Sequence, residues 1–168
     1  QKDTFAMPAR NVVIKGSFSA NAYTVVFEAN GGEGTMESQS FHYDKEQALS
    51  ANAFVRTGYT FAGWKNGSDV YEDEQNVSNL TATNGDVITL IAQWSINSYT
   101  ITFDSNGGSF VEPICASYGS AVEAPSDPIR DGYRFAGWSE EIPSTMPAND
   151  MHIKARWESY LDLVEARI

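Results

Sequence analysis

The sequence predicts a strongly β-rich α+β fold of small units repeated along the chain and arranged as an elongated row. Three observations lead there. Whole blocks recur: Asn30-Gly31-Gly32 as Asn106-Gly107-Gly108, Gly58-Tyr59-Thr60-Phe61-Ala62-Gly63-Trp64 as Gly132-Tyr133-Arg134-Phe135-Ala136-Gly137-Trp138, and Met7-Pro8-Ala9 as Met146-Pro147-Ala148. Short runs of β-branched and aromatic residues alternate with polar ones, the period of a half-buried strand. One stretch, Asp44 to Leu49, reads as the start of a short helix capped by Asp44. Copies of a small unit usually work by stacking, reach or multivalent contact rather than through a single catalytic pocket.

Each element can be justified in order. Residues 1–22 read as the closing strand of a truncated preceding copy plus a linker. Tyr23-Thr24-Val25-Val26-Phe27 and Tyr99-Thr100-Ile101-Thr102-Phe103 are opening strands whose β-branched residues suit a pleated surface. The Asn-Gly-Gly that follows each is turn chemistry, because both residue types tolerate positive φ. A phosphate-cradling loop would also need Lys-Ser/Thr and a helix start, which are missing. Ser38 to Tyr43 and Pro113 to Tyr118 are second strands. The short helix follows in the first copy; Pro125 and Pro128 shorten its counterpart in the second. The Gly-Tyr-x-Phe-Ala-Gly-Trp block is a strand whose inner glycine marks a bulge or a close backbone approach. Leu90, Ala92 and Trp94, like Ile153, Ala155 and Trp157, alternate inward along closing strands. Trp64 to Trp94 spans 30 positions and Trp138 to Trp157 only 19, so the first copy carries an insertion, rich in turn residues and expected as surface loop.

Two phases fit this pattern. A unit running from Tyr to Trp leaves Ser95-Ile96-Asn97-Ser98 as a joint between domains; otherwise those residues turn a hairpin within one. The first leaves two complete copies and gives the division adopted: 1–22, a first repeat with linker over 23–98, a second repeat over 99–157, and a tail over 158–168. The tail is open between a truncated strand and a helix. The core is expected to comprise Tyr23, Phe27, Phe61, Trp64 and Trp94 in the first copy and Tyr99, Phe103, Phe135, Trp138 and Trp157 in the second. The competing reading of these rings is an exposed platform for a glycan.

Composition limits the functions available. The net charge is −11, divided as +2 over 1–22, −7 over 23–98, −4 over 99–157 and −2 over 158–168, with no basic stripe. Nucleic acid and anionic membrane surfaces are thereby unfavourable partners, since both are bound through Lys and Arg. No run of about 18 apolar residues predicts insertion into a bilayer. A lone cysteine, Cys115, cannot make an internal disulfide, which suits the cytosol or a bacterial surface equally. Gln1-Lys2-Asp3 reads as an opening inside a longer protein.

The motifs Tyr-Thr-x-x-Phe-x-x-Asn-Gly-Gly, Gly-Tyr-x-Phe-x-Gly-Trp and Leu-x-Ala-x-Trp, with Met-Pro-Ala-x-Asp, together resemble the Listeria–Bacteroides repeat, or internalin-type B repeat. The resemblance covers almost all of 1–157. It implies a small β-grasp fold similar to ubiquitin, a mixed sheet cupping one helix. It also implies a bacterial cell-surface, cell-wall or secreted protein in which tandem repeats act as spacer and protein-interaction module. The expected partner is a host or self surface protein and the expected state a monomer. The faces Thr24, Val26, Glu28 and Thr100, Thr102, Asp104 are candidate contact surfaces.

Catalysis finds little support. His42 and His152 occupy non-equivalent positions, and no metalloprotease, paired-cysteine or nucleophile-elbow pattern occurs. Cys115 and His42 would make a nucleophile and base only if the copies folded against each other. Asp69, Glu72, Asp73 and Glu74 form the densest acidic cluster. They could offer oxygens to calcium but lack the EF-hand order, so a charged loop tip is the plainer reading. Asn66, Asn76 and Asn79 lie in glycosylation sequons, which matter only on a glycosylating route. The expectation is a non-enzyme with no cofactor and no resident metal.

Overall fold

A computed structural model describes residues 19–160. The closing strand expected within 1–18 and most of the tail lie outside that range. Within it, two sheets follow one another along the chain. The first has the order β2-β1-β7-β4-β5, from β1 (Ala22–Glu28), β2 (Gln39–His42), β4 (Tyr59–Asn66), β5 (Asp69–Tyr71) and β7 (Val87–Ile96). The second has the order β10-β11-β8-β9, from β8 (Ser98–Asp104), β9 (Ile114–Ser117), β10 (Tyr133–Trp138) and β11 (Met151–Ser159). Both share one plan. The opening strand runs parallel to the closing strand, β1 to β7 and β8 to β11, and every other pairing within the two sheets is antiparallel.

A parallel pair requires a long crossover, which a helix usually supplies. Here it does not. No helix occurs over 19–159, so the α+β, β-grasp expectation is corrected: the fold is β throughout. The stretch expected as a helix shows why. Asp44 does not cap it; its φ is +58°, inside a turn whose N–H donates to Asn79 Oδ1 at 2.6 Å. β3 (Gln47–Ala48) then pairs antiparallel with β6 (Asn76–Val77). Gln39 holds the segment extended, donating from Nε2 to the Ala48 carbonyl at 2.7 Å and accepting from the Ser50 N–H at 2.9 Å. A six-residue stretch of good helix formers cannot outweigh such partners, because helices below about 12 residues are marginal in water.

The insertion is only partly loop. It adds β5 as an edge strand beside β4, and it supplies β6. The inner glycine of each aromatic block sits at a bulge, where register shifts between Phe61 and Gly63 and between Phe135 and Trp138. At Gly63 (φ +114°) a side chain would lie 2.6 Å from the Tyr71 carbonyl.

The cores are unequal. Tyr23, Val25, Phe41, Leu49, Phe54, Trp64, Val77, Leu90 and Ala92 are buried in the first unit. The second buries a cluster of Ile101, Met146 and Ile153, with Tyr99, Phe103 and Trp138 packed partly exposed against it. Trp64 is fully buried, ringed by Phe27, Phe54 and Phe61 at centroid distances of 4.8, 6.1 and 4.8 Å. Its indole N–H has no acceptor among the described residues, a cost of about 1–3 kcal/mol that the ring's burial must offset. The Met-Pro-Ala block anchors the second unit: Met146 is buried, and its backbone bonds to Ser120 and Gly119.

Candidate functional site

One feature recurs in both units, a second recurs in its arginine–tyrosine stack, and a third joins the units. The first is a clasp between the Asn-Gly-Gly turn and the closing tryptophan. Asn30 and Asn106 take φ of +48° and +49°, and their side-chain amides donate to the carbonyls of Ala92 and Ala155. Trp94 Nε1–H donates to the Ala29 carbonyl at 2.9 Å, and Trp157 Nε1–H to Ser105 at 3.0 Å. The second glycine makes room for the indole. A Cβ on Gly32 would sit 2.7 Å from Trp94 Cζ2, and one on Gly108 2.5 Å from Trp157 Cζ2. The paired glycines thus receive a tryptophan of the same unit, and their role is structural.

The second feature is a groove beside this clasp. In the first unit it encloses about 400 Å³, with Glu33, Arg56, Tyr59, Phe61 and Trp94 on its walls. The Arg56 guanidinium lies 4.0 Å above the Tyr59 ring and reaches the Asn30 carbonyl. Arg130 repeats this 3.9 Å above Tyr133, bonding to the Asn106 carbonyl. Neither histidine nor the thiol lines the first unit's groove, which offers aromatic edges, the Arg56 cation and the Glu33 carboxylate.

The third feature is the joint. β7 ends at Ile96 and β8 begins at Ser98, so Asn97 alone separates the sheets. Its N–H donates to the Gly58 carbonyl at 2.9 Å, and its carbonyl accepts the Tyr118 N–H at 2.8 Å. Its Oδ1 accepts the Thr60 hydroxyl at 2.7 Å, and its Nδ2 donates to the Tyr99 hydroxyl at 3.3 Å. One asparagine therefore bonds to both units. Above it the Tyr118 ring meets Tyr59 edge-on, centroids 6.2 Å apart. The ring also lies where any side chain on Gly58 would project.

The structure disperses the other candidates. Tyr23 and Trp64 are buried, and Phe27, Phe61, Trp94, Tyr99, Phe103, Phe135, Trp138 and Trp157 are half-buried. His42 and Cys115 are exposed on β2 and β9, strands of separate sheets. His152 Nδ1 lies 2.9 Å from the Thr102 hydroxyl. Asp73 accepts the Asn52 N–H at 2.8 Å. Among the described residues, no three His, Cys, Asp or Glu side chains converge as a metal site would require, and Asp69, Glu72, Asp73 and Glu74 form no such group. Thr24, Val26, Thr100 and Asp104 are half-buried, while Glu28 and Thr102 are exposed.

The Asn106 N–H, and secondarily Lys154, hold the Asp104 carboxyl below the usual aspartate range. Burial, then the charge of Asp69, raises the Tyr71 phenol. Its ion pair with Glu158 raises the Arg134 guanidinium. None of these groups lies on the groove.

Sequence reasoning missed Gly58, Asn97 and Tyr118 as partners. A signal was present: a tyrosine follows the second strand in both copies, as Tyr43 and Tyr118, and each makes the same backbone bond, to Asn21 and to Asn97.

A family model for the Listeria-Bacteroides repeat domain matches residues 23–93 and 99–155. Similar proteins include one named "Putative Gly-rich membrane protein" (29% identical over 93% of this chain) and one named "Putative membrane protein" (32% over 92%), both from Evansella cellulosilytica. Internalin H of Listeria monocytogenes is 35% identical over 70% of the chain. The chain spans only about a fifth of each relative, 19, 21 and 20% respectively.

Proposed function

The chain belongs to the Listeria-Bacteroides repeat domain family, and from that premise we propose that it is a non-catalytic tandem-repeat spacer and protein-interaction module of a bacterial cell-surface or secreted protein, held outside the cell. The carrying observation is the joint. A spacer must transmit orientation from one unit to the next. A one-residue linker bonded to both sheets, with Tyr118 seated on Gly58, limits the angles available. The acidic surface makes separate chains repel one another. Its contacts are with host or self surface proteins, where tandem copies raise effective concentration.

Small-angle scattering tests this on the whole chain. The unaltered protein should fit a single inter-unit geometry, and Tyr118→Ala should broaden the distance distribution. Identical curves, both requiring a spread of geometries, would contradict the reading.

The groove favours a second reading, a glycan-binding module. Half-buried aromatics beside a fixed guanidinium recur in both units. Titration of soluble glycans against tryptophan fluorescence decides it: a saturable change lost in Arg56→Ala supports it, and silence with every glycan class removes it.

A further inference from the structure

The joint has two faces, and each unit carries both. The socket is Gly58-Tyr59-Thr60 at the start of β4; the plug is Asn97 with Tyr118 on the next unit. The first unit's plug face bears the same parts. Asn21 occupies the place of Asn97, and its carbonyl accepts the Tyr43 N–H at 2.8 Å as Asn97 accepts that of Tyr118. Ser19-Ala20-Asn21-Ala22-Tyr23 also matches Ser95-Ile96-Asn97-Ser98-Tyr99 in three of five positions. Asn21 is exposed, and among the described residues nothing donates to its Oδ1, the atom that at Asn97 takes the Thr60 hydroxyl. Tyr43, unlike Tyr118, has no described ring against it.

The second unit shows the converse. Gly132 stands where Gly58 stands, with φ of +78° against +77°. Gly58 is buried, whereas Gly132 is exposed, with no atom of the other described residues within 4 Å of the position of a Cβ. The Tyr160 N–H donates to its carbonyl as Asn97 does to that of Gly58. The hub has changed here, however. Tyr160 replaces the asparagine, and Arg134, which replaces Thr60, is paired with Glu158. The socket at this end keeps its glycine and tyrosine but has Arg134 in place of the threonine.

We propose that the Asn21–Tyr43 face is a docking surface for the Gly-Tyr-Thr corner of a preceding copy of this repeat, so that the same joint continues toward the N-terminal side. This rests on the spacer reading and specifies its contact. The occupant follows from continuity with the joint already formed: the same asparagine, tyrosine and backbone acceptor are presented in the same order. A flexible tether would need none of them.

The test extends the chain. A copy of residues 22–96 is placed directly before Asn21, in place of residues 1–20, so that its Gly58 corner precedes Asn21 as the original precedes Asn97. Amide hydrogen exchange is followed at Asn21 and Asn97. The Asn21 amide should slow about tenfold or more on extension, as a newly bonded amide does. Tyr43→Ala in the middle unit should reverse the slowing and broaden the scattering distance distribution. An unchanged Asn21 amide beside a protected Asn97 amide would overturn the proposal and leave the two-unit spacer intact. Loss of protection at Asn97 as well would overturn both. Should that chain not fold, residues 21–96 placed directly after Ile96, in place of residues 97–168, set a second Asn21 and Tyr43 against the original Gly58. Slow exchange at that second Asn21 amide, lost in Tyr43→Ala of the same copy, supports the proposal, and an amide as fast as the first Asn21 would overturn it.

Discussion

Replacing Gly58 and Gly132 separately by alanine isolates the joint from everything else. Both glycines hold nearly the same left-handed backbone, at φ +77° and +78°. Each alanine therefore costs about 1–2 kcal/mol in backbone strain and regains the same small unfolded-state entropy. Those effects cancel in the comparison. The surroundings do not cancel: a Cβ at Gly58 would enter the Tyr118 ring, while one at Gly132 meets no atom among the described residues. Forcing a packed ring aside typically costs a further ~1–3 kcal/mol. Gly58→Ala should thus destabilise its unit by about 1–3 kcal/mol more than Gly132→Ala destabilises the other. Urea unfolding, with each unit's transition resolved, measures the gap. Tyr118→Ala combined with Gly58→Ala should close it, since no ring remains to be displaced. Equal losses from the two glycine substitutions would refute the argument and reduce the contact to an incidental touch.

Other outcomes follow from the two cores and the clasp. Trp64→Ala removes a fully buried ring and should cost about 3–5 kcal/mol, enough to unfold a unit near the lower end of natural stability. Trp138→Ala, half-buried, should cost less, and calorimetry should show each substitution acting mainly on its own transition. Gly32→Ala drives a methyl into the Trp94 indole and should shift tryptophan emission to the red; an unshifted spectrum would contradict the clasp. Asp104 has a carboxyl depressed by the Asn106 N–H and by Lys154. A depressed carboxyl contributes stability that is complete above the ordinary aspartate range and lost as pH falls through the lowered value. Asp104→Asn should therefore flatten the acid limb of the second unit's stability, and an unchanged limb would contradict the assignment.

The strands were legible because their signals are local. Tyr23 to Phe27 and Leu90 to Trp94 alternate with period two, and one buried face fixes such a pattern. The bulge was legible from Gly63 and Gly137, and the turn from Asn-Gly-Gly. The partners of these parts were not. The need for Gly32 is set by Trp94, 62 positions away, whose indole fills the space a side chain would take. The helix expected from Asp44 onward failed for a related reason. Its residues favour a helix locally, but Gln39, Asn79 and β6 supply backbone partners from elsewhere in the chain. The joint was visible only as a repeated tyrosine and a short linker, because Tyr118 and Gly58 meet from different units.

The most direct test of a fixed joint is residual dipolar coupling of backbone amides in the whole chain. Couplings from residues 22–96 and 98–159 should fit one alignment tensor, with the orientation set by Asn97 and Tyr118. Two tensors differing in magnitude and direction would show the units turning independently, and the spacer account would fall.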